Sequence, residues 1–194
     1  MARTKHDVRS EATRRRLVTA ARTLFGARGY ADVGTEEIVR AAGVTRGALY
    51  HQFRDKADLF AAVAEEVEAG IAERIASAAG VEADPVDALR SGARLFLDAC
   101  AEPEVERIIL LDAPAVLGWQ AWRDLAGRYG LGLVQSGLQS AIEAGAIAPQ
   151  PVPRSPTFSS ARSTRARSTW PGPRTRLRRE RSASRSSTGY CTAW

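Results

Sequence analysis

At 194 residues with a net charge of +6, the chain has the length of one or two domains. Its two cysteines, Cys100 and Cys191, are too few for a disulfide framework and suit a reducing, cytoplasmic setting. No apolar run reaches spanning length, and the polar N-terminus lacks a signal-peptide core.

The charge is uneven along the chain: basic over residues 1–54, acidic over 55–150 and basic again over 151–194. A basic head on an acidic body suits a nucleic-acid binder whose second domain does something else. Met1 to Arg9 is polar and expected to fray, with Arg3 and Lys5 as candidates for a DNA-reaching arm. Ser10-Glu11 is a helix-start signal, after which Leu17, Ala21, Leu24 and Phe25 recur on one face. Arg14, Arg15 and Arg16 fall mostly on the other side, where a solvated face and phosphate contact account for them equally well. Gly29 closes this helix, and Tyr30 is expected to pack back onto a three-helix core.

The stretch Gly34–Lys56, GTEEIVRAAGVTRGALYHQFRDK, organises the rest. Thr35 is expected to cap a first helix, with Glu36 and Glu37 at its positive end. Ile38, Val39 and Ala42 give that helix an apolar edge, and Gly43 supplies the left-handed exit. Thr45 caps a second helix whose Ala48, Leu49 and Phe53 point inward, leaving Arg46, Gly47, Tyr50 and His51 outside. Two short helices at a tight turn, the second with a small, basic and hydroxyl-bearing outer face, describe a helix-turn-helix.

On these residues, AAGVTRGALYHQFRDKADLF resembles the helix-turn-helix of TetR-type transcriptional regulators, and LFGARGYADVGTEEI resembles the segment before it. The likeness is strong over about the first 60 residues, looser to about residue 148, and stops there. It implies an all-α fold with a DNA-binding domain (1–54), a helical ligand-sensing body (55–150) and a homodimer acting on an operator. Asp55-x-x-Asp58 opens a long helix as a capping box, and Leu59, Phe60, Val63, Val67, Ile71, Ile75 and Ala78 keep its period. Lys56 is expected to face the same surface as Tyr50.

Asp84-Pro85 starts the next helix, with Val86, Leu89, Ala93, Phe96 and Cys100 as its stripe. A short apolar helix follows, from Glu104 to a stop at Asp112-Ala113-Pro114. A last helical stretch runs from about Gly118 to Ala144, with a kink expected at Gly130. No alternating strand pattern occurs in this body. In a TetR-like protein such a body holds a ligand pocket, for which Phe96, Ile109, Leu110, Leu117, Trp119, Trp122 and Tyr129 are candidate lining residues. Each of these is also a candidate for ordinary core. Asp112, beside the helix break, is the polar candidate for orienting a ligand.

Residues 151–194 form a separate problem. Their 10 Arg, 9 Ser, 6 Thr and 5 Pro leave only Val152, Phe158 and Leu177 as large aliphatic or phenyl side chains, a composition that predicts disorder. TetR-type chains end in two amphipathic pairing helices, so a frameshift near codon 150 is the favoured account and an authentic basic tail the other. Without such helices the chain is expected to dimerise weakly.

His6 and His51 are the only histidines, no catalytic or metal-ligand spacing surrounds them, and neither enzyme activity nor a cofactor is expected. The function expected is a ligand-responsive repressor. Thr35, Tyr50, His51 and Lys56 would hold phosphates, while Thr45, Arg46 and Gly47 meet base edges. The rival readings are a monomeric, weakly selective nucleic-acid binder and a protein-interaction module with a vestigial head.

Overall fold

The computed structural model describes residues 5–80 and 84–150. The expected arm residue Arg3 and everything expected of the 151–194 tail lie outside those residues. All described elements are helical: α1 (Lys5–Arg28), α2 (Thr35–Ala42), α3 (Arg46–Gln52), α4 (Lys56–Ala79) and α5 (Pro85–Cys100). Next comes α6, made of Pro103–Val105, a π-wound Glu106–Asp112 and Ala113–Leu117. The last helix, α7, joins Trp119–Ala126, a π-wound Gly127–Leu131 and Gly132–Glu143.

Ser10 does not start α1, which is already helical at Lys5. The Ser10 hydroxyl instead accepts from Gln52 Nε2 at 2.7 Å, tying α1 to α3. The cap of α2 is also displaced: Gly34, extended at φ −89°, is the N-cap, and Thr35 is the first helical residue with no capping hydrogen bond. The exit of α2 is as the sequence indicates. Gly43 sits at φ 59°, ψ 41°, the Gly43 N–H reaches Arg40 O at 3.1 Å and the Val44 N–H reaches Val39 O at 3.0 Å. That pair of bonds is a Schellman closure, which needs the left-handed residue. A Cβ at Gly43 would also stand 2.7 Å from Arg16 Nη2. Gly43→Ala should therefore lower stability by about 1–2 kcal/mol, read as a drop in the thermal midpoint.

Asp55 caps α4, its Oδ1 accepting from the Asp58 N–H at 2.7 Å. The expected return bond goes one residue further out: Asp58 Oδ2 accepts from the Arg54 N–H at 3.0 Å. One continuous core runs from α1 to α6, through Leu17, Ala21 and Phe25, Ile38, Leu49 and Phe53, Leu59, Phe60 and Val63, and Ile108 and Ala113. Ala48 is only half-buried. Phe60 meets Phe25 at 5.3 Å and Tyr30 at 5.2 Å, both edge-on, so Tyr30 does pack back as its position implies.

The expected stop at Pro114 is absent, because α6 runs through it. A proline in an α-helix clashes with the carbonyl four residues before it, and the widened turn upstream moves that carbonyl aside. The expected kink at Gly130 coincides with the second widened turn. Among the described residues no helix is long and apolar enough to cross a membrane.

Candidate functional site

Thr45 is extended at φ −85° and accepts from the Ala48 N–H at 3.2 Å, which fixes the entry angle of α3. Leu49 and Phe53 anchor the helix from below. Thr45, Arg46, Gly47, Tyr50 and His51 are left exposed on its outer side. A Cβ at Gly47 would meet only the Thr45 hydroxyl, at 4.0 Å, so this part of the surface is low and open to a close-approaching partner. Arg46 Nη1 lies 3.3 Å from Glu36 Oε1 with both side chains largely in solvent, and its guanidinium sits 5.6 Å from the Tyr50 ring centre. An exposed pair of this kind is worth little, which leaves Arg46 free to exchange Glu36 for another acceptor.

Beside this strip is an open depression of about 200 Å³ lined by Arg9, Ser10 and Thr13 of α1 and Ala48, His51 and Gln52 of α3. Arg9 was not singled out from the sequence, although a basic residue one turn ahead of Thr13 is a readable signal. Thr35 is half-buried at the start of α2. Two of the three consecutive arginines are structural: Arg14 stacks 4.5 Å from the Phe53 ring centre, and Arg16 donates to Gly43 O at 3.0 Å. Arg15 remains exposed.

Lys56 does not share the outer strip. Its ammonium donates to Tyr30 O and lies 4.0 Å from the Tyr30 ring centre. Burial pulls its pKa down, while Asp32 and Asp112 oppose that. Burial likewise pushes the Tyr30 phenol up, with Asp55 adding to it. Asp112 is not turned toward a ligand space either: its Oδ2 accepts from the Tyr30 N–H at 2.7 Å. The Tyr30 peptide is thus gripped at both ends, by α6 on its N–H and by α4 on its carbonyl.

A second tie joins the same elements. Arg22 of α1 forks onto Glu104 at 2.9 and 2.7 Å and reaches Glu66 of α4 at 3.4 Å. The hydrogen bond from Arg22 holds the Glu104 carboxyl below its ordinary range. That contribution to stability is present at neutral pH and is lost as pH falls through the lowered pKa.

The expected pocket residues do not converge. Phe96, Leu110 and Trp119 are exposed, Trp119 by 62%. Ile109 belongs to the core, while Leu117 and Trp122 are partly buried against it. Tyr129 is half-buried, with its hydroxyl donating to Glu65 Oε1 at 3.2 Å. On α5 the buried positions are Gly92 and Ala99, and Ala93 and Phe96 are exposed. Sequence reasoning missed Glu68, the buried carboxylate of α4. Its signal was a charge at the register of Ala64, Val67 and Ile71.

The chain matches the family model "Bacterial regulatory proteins, tetR family" over residues 17–63. It matches "Tetracyclin repressor-like, C-terminal domain" over residues 86–166, past the point near 148 where the resemblance was expected to stop. A TetR-family regulator from Pectobacterium atrosepticum superposes with a TM-score of 0.66 at 36% identity, covering 76% of this chain and 75% of that one. This chain belongs to the TetR family of transcriptional regulators. TetR-family membership agrees with the curated regulator AcrR of Shigella flexneri, 35% identical over 111 residues, 57% of this chain and 51% of AcrR. The chain therefore spans about half the length of that relative. RolR, solved with resorcinol, shares the fold at a TM-score of 0.60 and 23% identity, over 74% of this chain and 70% of RolR. The helix-turn-helix of this TetR-family chain is accordingly a DNA-binding element, and its relatives are regulators and repressors.

Proposed function

We propose that this chain is a ligand-responsive repressor that binds a palindromic operator as a dimer, with residues 1–54 as its DNA-binding domain and 55–150 as its sensing body. The observation that carries the reading is the exposed strip Thr45–Arg46–Gly47–Tyr50–His51 on a helix whose other side is locked into the core. Arg46, with Thr45 and Gly47 beside it, would meet base edges. Tyr50, His51 and the free N–H end of α2 at Thr35 would meet phosphates. Lys56, engaged by Tyr30, would set the turn rather than hold a phosphate. The unknown effector would act through α6 and α4, since both grip the Tyr30 peptide and Arg22.

One recognition helix reads one half-site, and a two-fold dimer places two of them about 34–36 Å apart or a multiple of that. Footprinting on the DNA flanking the gene should show protection of a defined palindrome. Arg46→Ala should then relax preference at one operator position by about 1–3 kcal/mol while leaving binding to random DNA nearly unchanged. Equal losses on both DNAs would remove Arg46 from base reading. Diffuse, salt-sensitive binding by the unaltered chain would support the monomeric reading, and no binding at all the interaction module.

A further inference from the structure

Helix α4 buries Leu59, Phe60, Val63, Ala64, Val67 and Ile71, and in the same register it buries Glu68. Glu68 is 7% exposed, and it is the one buried charged residue among those described. Among the described residues no hydrogen bond or ion pair reaches its carboxylate. The nearby cation on α7, Arg128, goes to Glu65 one turn away, at 3.3 Å, and Tyr129 also spends its hydroxyl on Glu65. A carboxylate removed from water without a partner is costly to keep, several kcal/mol in a typical interior.

A second orphan lies in the same body. Trp122 Nε1 on α7 is buried and has no acceptor. Buried indole N–H groups normally find a partner, and these two unpaired groups do not serve each other. Helices α5 and α7 both pack on α4, and the charge of Glu68 is felt on both: it helps to push up the Cys100 thiol, after burial, and the Tyr129 hydroxyl, after burial and Glu65. The π-wound turn carrying Tyr129 has open space beside Gly127 and Gly130, so that segment can move without meeting a neighbour.

We propose that α4, α5 and α7 form the effector site of this protein, and that the effector is an organic cation whose nitrogen donors are received by Glu68. Its recognition unit is a flat, apolar group carrying an amidinium or ammonium, because one carboxylate must be neutralised inside an apolar surround. An acceptor elsewhere on the same molecule satisfies Trp122. This deepens the reading of the body as a sensor and rests on it.

Benzamidinium, benzamide and benzoate share size and shape and differ in charge, so they test the proposal on the full-length chain. The readout is the emission of its own tryptophans, titrated without DNA, which keeps the result separate from whether the chain represses. Benzamidinium should bind at least about tenfold more tightly than benzamide, and benzoate more weakly still. In Glu68→Gln the preference for benzamidinium over benzamide should vanish while benzamide binds as before. Equal binding of the three probes, no binding of any, or an undiminished preference in the variant each overturns the proposal.

A second measurement checks the state of the site itself. Burial holds the Glu68 carboxyl above its ordinary range, so the unfolded chain gives up that proton first as pH rises. Native stability therefore falls from the ordinary carboxylate range upward through the raised pKa and then levels off. Glu65 titrates in both proteins, and Cys100 and Tyr129 are pushed to higher pH. Glu68→Gln should accordingly melt higher than the parent at pH 7.5, with the gap closing toward pH 4. A variant that melts lower at both pH values has lost a structural partner, and the proposal fails.

Discussion

Phe60→Ala should destabilise the protein by about 3–5 kcal/mol, the range for removing a large aromatic from a packed interior. Phe60 has no exposed surface, and its ring is met edge-on by Phe25 from the end of α1 and by Tyr30 from the turn before α2. Three segments thus share one aromatic centre, and none can close over the gap without moving the other two. Aromatic pairing adds about 0.5–1.5 kcal/mol beyond burial. Urea unfolding should show a lower midpoint with an unchanged slope. Trp119→Ala, at a side chain mostly in solvent, should change stability by less than about 0.5 kcal/mol. Comparable losses in the two variants would mean that the α1–α4 junction is not the centre of the core.

Asp112→Ala should cost about 1.5–3 kcal/mol, the worth of a hydrogen bond to a charged group. The bond at stake is the one the Tyr30 N–H donates at 2.7 Å, next to Gly29 at φ 84°. No side chain but Asp112 is recorded on that N–H, so truncation leaves a part-buried donor without an acceptor. Asp112→Asn keeps an acceptor oxygen without the charge and should recover part of the loss. On the proposed function, both variants should also weaken DNA binding on cognate and random sequences alike, because they loosen the turn that sets the head and touch no base reader. An alanine variant as stable as the parent would show that the Tyr30 peptide is held by Lys56 alone.

The features legible in the sequence are those governed by local chemistry. Gly43, Thr45 and Asp55 act on atoms within a few residues of themselves, and their geometry is what their spacing indicates. Thr35 and Ser10 were misplaced because hydroxyl residues suit caps wherever they stand, and only the fold gives the cap to Gly34 and sends Ser10 to Gln52.

On α5 the period was right and the facing was wrong. Helical spacing gives a stripe, but contact with a neighbour selects small residues that let it come close. A Cβ at Gly92 would stand 3.2 Å from Ile75 Cγ2 and one at Gly137 2.6 Å from Leu89 Cδ2, so α5 turns its small side inward and leaves Phe96 and Leu97 exposed. Choosing pocket residues by aromaticity had the same defect, since ring size says nothing of direction. Glu68 was visible as a charge in an apolar register, and Arg14 and Arg16 show that a run of arginines can be spent inside the molecule.

The two-ended grip on the Tyr30 peptide has a consequence for protein engineering. Sensors are often assembled by grafting the reading head of one regulator onto the body of another, with the joint placed in the first turn of the connecting helix. In this chain such a cut separates Tyr30 from both of its holders, because Lys56 opens α4 and Asp112 lies in α6. A graft of residues 1–54 keeps its switching only where the recipient offers a carboxylate to the Tyr30 N–H and an ammonium to its carbonyl. Compatibility of parts is therefore decided by one amide plane, and the pair at positions 56 and 112 should travel with the head.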